Sequence, residues 1–173
     1  GYSPLQAGLM MLPVAVAGMG AKPLATWLIT RLGYRRVLVG NTLAVGVVMA
    51  SFALTSPAHP LALRVAQLAL FGAVNSLQFT AMNTVTLKDL APGMASSGNS
   101  LLSMVQMLAM GMGVAAAGAV LGAFTALWGG APGQTLPAFH ATFACMGLMT
   151  MAAAGIFAQL SPDLPADEGA QAG

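Results

Sequence analysis

Charge is so scarce in this chain, and so unevenly placed, that few folds are open to it. Of its 173 residues only ten are formally charged, six Lys or Arg and four Asp or Glu. No charged side chain occurs between Asp89 and Asp163. Soluble domains have about a quarter of their residues charged; here the fraction is 6%, against 57% hydrophobic, with a mean hydropathy of +0.80. About 20 apolar residues in a helix cross the roughly 30 Å hydrocarbon layer of a bilayer. A helix also satisfies its own backbone groups, which the hydrocarbon cannot do. The composition implies an all-α polytopic membrane protein in contact with the lipid bilayer.

Glycine, proline and the few charges divide the chain into five apolar helices, a to e, over about residues 5–30, 37–55, 61–87, 95–127 and 139–160. Helix a contains Pro13 and Pro23, breakers that spans tolerate when neighbours re-satisfy the backbone. Ser96, Ser97 or Asn99 is expected to cap helix d, and Trp128 to anchor its far end at the interface. Arg31, Arg35 and Arg36 share one short loop, so the positive-inside rule makes that side cytoplasmic. Lys88 falls on the same side, and Arg64, at the outer start of helix c, is the exception. The N-terminus is then outside, and residues 161–173 form a polar, disordered cytoplasmic tail. Gly1-Tyr2-Ser3-Pro4 reads as a loop already in progress, as in a piece of something longer.

Two helices carry polar stripes. On helix c, Gln67, Phe71, Asn75, Gln78 and Met82 recur at spacings of three and four, one helical face. On helix d, Asn99, Ser103, Gln106, Met110 and Gly113 do the same. Two readings compete. Amides handle varied solutes without the penalty of a buried charge, which suits a lined path. They also make ordinary interhelical hydrogen bonds, worth about 0.6 kcal/mol each in membrane proteins.

Lys22, well inside helix a, is a candidate anion-binding or gating charge. Ionisable groups at mid-membrane cost about 2.5–3.5 kcal/mol and are functional by default, although a lysine can snorkel toward the interface. Arg64 poses the same choice from the outer side. Lys88 and Asp89 are a possible cytoplasmic gate or simply a solvated turn; adjacent helical residues do not face each other, so each would need its own partner. Gly111, Ala115, Gly118 and Gly122 form a small-residue face on helix d suited to close helix packing.

The thirteen methionines suggest core or lipid-facing filler as readily as an adaptable pocket. His59 and His140 are isolated and lack metal-ligand spacing, so no metal and no cofactor is expected. A single cysteine, Cys145, excludes a disulfide within the chain. A pI near 9.1 says little about nucleic acid, because its basic cluster is explained by membrane anchoring. A serine-protease reading of Ser97 with His140 fails, since the two fall at opposite ends of their helices, out of hydrogen-bond reach. No catalytic residue and no enzyme is expected.

The segments GYSPLQAGLMMLP, LITRLGYRRVL and MNTVTLKDLAPGMASSGNSLLS resemble, in order, the C-terminal half of major facilitator transporters. Among these the chain is most similar to the EmrB/QacA-type drug:proton antiporters. The resemblance implies a partial C-terminal helix bundle from a protein of 12 to 14 spans, with helices a, c and d around a central cavity and b and e outside. The family's loop motif, G-x-L-A-D-R-x-G-R-[RK], is matched at Leu28, Arg31, Gly33 and Arg35. Thr26 and Thr30 replace its Gly and Asp, so that loop is expected to keep an anchoring role without the aspartate. No Asp or Glu lies inside any span, so a proton-coupling carboxylate would reside in the missing part.

The implied function is secondary active efflux of drugs or other small solutes by alternating access in the bacterial inner membrane. Its partners are a small-molecule solute and the missing N-terminal half. The substrate-path candidates are Lys22, Arg64, Phe71, Asn75, Gln78, Met82, Asn99, Ser103 and Gln106. The alternative is a non-transporting membrane subunit or scaffold whose polar helix faces bind partner helices.

Overall fold

A computed structural model describes residues 4–56, 58–88, 90, 93–128 and 135–160. Its five α-helices are α1 (Pro4–Leu32), α2 (Tyr34–Ser51), α3 (Leu61–Leu87), α4 (Ala95–Leu127) and α5 (Thr135–Phe157). A 3-10 turn, Phe52–Leu54, ends α2, and there is no strand among the described residues. All five helices are long and apolar enough to cross a membrane.

Small residues decide which helices meet. α1 packs chiefly on α3, and α2 packs on α5 and more lightly on α3. At the α1–α3 seam a Cβ added to Gly72 would fall on the backbone of Val14, and one added to Gly18 would sit 3.4 Å from the Gly72 carbonyl oxygen. At the α2–α5 seam a Cβ on Gly46 would lie 2.7 Å from the Gly147 oxygen, and the reverse distance is also 2.7 Å. Such approaches suit spans, which associate by close packing because lipid offers no hydrophobic drive between them. The shared core is small: Ala25, Val37, Leu38, Leu77 and Ala81, with Leu28, Ile29, Val85, Phe157 and Leu160 against it.

Helix b is the most buried of the five, lying between α3 and α5. Its small and β-branched residues allow both neighbours to approach. Three expectations are corrected. The expected packing face on helix d meets nothing: Gly111, Gly118 and Gly122 have no atom within 4 Å of an added Cβ. Ala115 is exposed with them, and none of α4 is buried. No side chain caps α4, because Ser97 Oγ turns back to donate to the Met94 carbonyl at 3.0 Å. α5 begins at Thr135, four residues earlier than expected, with Pro137 in its first turn, where a missing N–H costs nothing. The tail, residues 161–173, lies outside the described residues.

Candidate functional site

Three of the five residues of the helix c stripe are consumed in the seams. Gln78 Nε2 donates to Thr42 Oγ1 and Gln78 Oε1 accepts from Asn41 Nδ2, both at 2.8 Å. Asn41 Nδ2 also donates to the Val74 carbonyl at 2.8 Å, and Thr42 Oγ1 to that of Leu38 at 2.7 Å. This network joins α2 to α3 with Asn41 only 9% and Thr42 3% exposed. Nearer the start of α3, Gln67 Nε2 donates to Ser51 Oγ at 2.7 Å while Gln67 Oε1 accepts from Thr55 Oγ1 at 2.9 Å. Phe71 meets Phe52 edge-on at 5.9 Å, and Phe52 in turn meets Phe143 of α5 at 5.5 Å. Within these five helices Gln78 and Phe71, expected to contact solute, are seam residues. Beside Gln78 the α2–α3–α5 junction leaves a largely apolar cleft of about 340 Å³, with Thr42, Val45, Met146, Thr150 and Phe157 also in its wall.

The other two residues of the stripe, Asn75 and Met82, stay bare. α1 and α3 run the same way: Val14 and Gly18 lie against Gly72 and Ser76, and further along Ala25 joins Leu77 and Ala81. Ser76 Oγ donates to the Gly18 carbonyl at 2.7 Å. For two parallel right-handed helices in contact through these residues, the 3.6-residue period puts Lys22 and Thr26 on the same side of the pair as Asn75, Phe79, Met82 and Thr86. All six are exposed. The opposite side is closed by α2, through Leu28 and Ile29 against Val37 and Leu38. Thr26 and Thr86 spend their hydroxyls on carbonyls four residues back, Lys22 and Met82 respectively. The Lys22 ammonium and the Asn75 amide are the wall's remaining polar groups.

The α4 candidates disperse. Asn99 is exposed, and Ser103 Oγ donates to the Asn99 carbonyl at 2.8 Å within the helix. Gln106 Nε2 donates to Asn83 Oδ1 of α3 at 2.6 Å. The α4 stripe thus touches α3 through Asn83, a residue outside the α3 stripe. Met110 and Gly113 are exposed. Arg64 is half-buried on the first turn of α3.

At the arginine end, Gly33 adopts φ 76°, where an L side chain is disfavoured, and the chain turns there from α1 into α2. The Arg31 guanidinium lies 5.0 Å from the Trp27 ring centre and Lys88 Nζ 4.8 Å from that of Tyr34. Arg35 is half-buried and Arg36 exposed. Asp89, the other residue of the candidate gate, lies outside the described residues. His59 Nδ1 accepts from the Ser56 N–H at 3.2 Å, and His140 Nε2 lies 2.9 Å from the Thr55 carbonyl. No group of side chains that could hold a metal occurs among the described residues.

Residues 1–114 match the Major Facilitator Superfamily. The chain belongs to this superfamily. Its curated relatives include the provisionally named multidrug resistance protein MdtD of Cronobacter sakazakii, 44% identical over 95% of this chain and 35% of that protein. The MdtD proteins of Serratia proteamaculans and Escherichia coli are each 43% identical over 94% of this chain, covering 34% and 35% of their own lengths. This major facilitator chain therefore spans about a third of the relatives it matches. No solved structure matches it.

The residues missed by sequence reasoning are Asn41, Thr42 and Asn83. Asn41 and Thr42 are adjacent polar residues in an apolar helix, which is itself the signal of a buried interhelical contact. Asn83 lies next to Met82 but off the stripe's spacing.

Proposed function

We propose that this chain supplies five spans of a secondary active efflux transporter that moves a drug or other small solute by alternating access. The observation that carries the reading is the bare wall on the α1–α3 pair. Lys22 and Asn75 stand uncovered there near mid-span, while amides one and two turns from Asn75 are paired into seams. A polar or ionisable group in a span costs enough that an unpaired one faces water or a partner rather than lipid. Family membership and the relatives' name support export of small molecules. Proton coupling would fall to a carboxylate elsewhere, because the helices carry no Asp or Glu. The clustering of Arg31, Arg35, Arg36 and Lys88 at one end supports a cytoplasmic placement of that end.

Everted vesicles containing the intact gene product test this. Under an imposed pH gradient, adding a transported solute from a panel of organic cations, anions and neutral drugs is expected to dissipate the gradient. A panel in which no solute does so, with the protein present and folded, overturns the reading. A phosphatase fusion after Arg36 is expected to be inactive and one after His59 active; the reverse result overturns the orientation.

A further inference from the structure

Lys22 needs a negative partner that its own helices do not provide. All four acidic residues of the chain, Asp89, Asp163, Asp167 and Glu168, fall outside the five helices. Lys22 lies ten residues before the end of α1, about 15 Å of rise. Its side chain is exposed on the open side of the α1–α3 pair. The register that sets Gly18 against Gly72 and Ser76 brings Lys22 to the level of Phe79, so Asn75 is about one turn, roughly 6 Å of rise, away on the same side. An ammonium has three donors and a primary amide two donors and an acceptor. Two such groups from neighbouring helices, about one turn apart on the same side of the pair, present several N–H donors and one full positive charge.

Resting on the transporter reading, we infer that Lys22 and Asn75 form a subsite for the carboxylate or other anionic group of the solute. Lys22 supplies the charge and Asn75 a directional hydrogen bond. An organic cation gains nothing there: it meets a like charge with no acidic side chain on these helices to offset it. Charged hydrogen bonds are stronger than neutral ones, so the preference depends mainly on Lys22. Phe79 and Met82, 51% and 39% exposed on the same wall, offer apolar surface beside the anion.

A carboxylate could reach Lys22 from a solute or from an Asp or Glu elsewhere in a longer polypeptide, and the test separates the two. Binding of 5-carboxyfluorescein and of ethidium to the intact gene product in nanodiscs is measured by fluorescence anisotropy, with thermal unfolding recorded for each variant. Lys22→Met is expected to weaken carboxyfluorescein binding at least tenfold and to leave ethidium within twofold. Lys22→Arg, which keeps the charge, should stay within about threefold for both, and Asn75→Ala should weaken the anion about threefold. Two outcomes overturn the inference. One is equal carboxyfluorescein binding, including none, by wild type and Lys22→Met. The other is a loss of both probes together with lowered thermal stability, the signature of an ion pair within the protein. Either failure, beside vesicles that still export some solute, leaves the transporter reading standing; vesicles that move nothing sink that reading instead.

Discussion

The α2–α3–α5 seam and the open side of the α1–α3 pair are built from the same kinds of residue, and they differ in whether those residues are covered. In the seam Asn41, Thr42, Gln67 and Gln78 are tied to one another, to Ser51 and Thr55, or to carbonyls. On the open side Asn75 and Lys22 face outward. A polar residue in a span thus has no fixed meaning. Its role is set by whether a neighbouring helix arrives at its side, and arrival is decided by glycines such as Gly46 and Gly72.

The largest effects should come from those glycines. Gly72→Ala puts a methyl onto the Val14 backbone, which cannot rotate away as a side chain can. Overpacking of this kind costs about 1–3 kcal/mol and occasionally more. Thermal unfolding of the intact gene product in detergent should show a clear loss for Gly72→Ala and for Gly46→Ala. Gly20→Ala, with nothing near its added Cβ, should fall within about 0.5 kcal/mol of wild type. Gly111→Ala sharpens the comparison. A loss as large as at Gly72 would mean that the α4 face, bare here, is covered by a helix from outside these five.

Much of the bundle could be read from punctuation. Pro60 before α3, and Pro92-Gly93 before α4, place helices that run over Leu61–Leu87 and Ala95–Leu127, matching the sequence expectation at both ends. The boundary before α2 shifts because Gly33 takes the positive φ alone and Tyr34 is already helical. The candidate site was less legible. Periodicity says that Gln67, Phe71, Asn75, Gln78 and Met82 share a face, yet that face is an arc wide enough for the edge of α2 to divide. Gln67, Phe71 and Gln78 fall under the neighbours, and Asn75 and Met82 do not. The small-residue face of α4 misled for the same reason, since spacing reveals a surface able to pack and not the helix that reaches it.

Gln78→Ala and Asn75→Ala, three residues apart, test whether that division is functional. Gln78→Ala leaves the buried Asn41 and Thr42 without their shared partner. An unsatisfied buried polar group costs about 1–3 kcal/mol, so stability should fall by that order while solute affinity holds. Asn75→Ala should do the opposite, with stability within about 0.5 kcal/mol of wild type and anion binding weakened. A Gln78→Ala protein of normal stability and altered solute selectivity would break the comparison by opening the 340 Å³ cleft beside Gln78 to the solute path.

The smallest effect separates steric fit from hydrogen bonding at the α1–α3 seam. Ser76 Oγ donates to the Gly18 carbonyl at 2.7 Å, and its Cβ is also within 3.5 Å of where a Cβ on Gly18 would stand. Ser76→Ala keeps the carbon and removes only the hydroxyl. The Gly18 oxygen lies within the helical hydrogen-bond ladder of α1, so it loses a second donor rather than its only one. Interhelical hydrogen bonds in membrane proteins average about 0.6 kcal/mol and reach about 1.7, and Ser76→Ala should lie at or below that average. A cost near the upper figure would make the hydroxyl, rather than Gly72, the main tie holding α1 to α3, and the Gly72→Ala loss would then have to be smaller than the clash predicts.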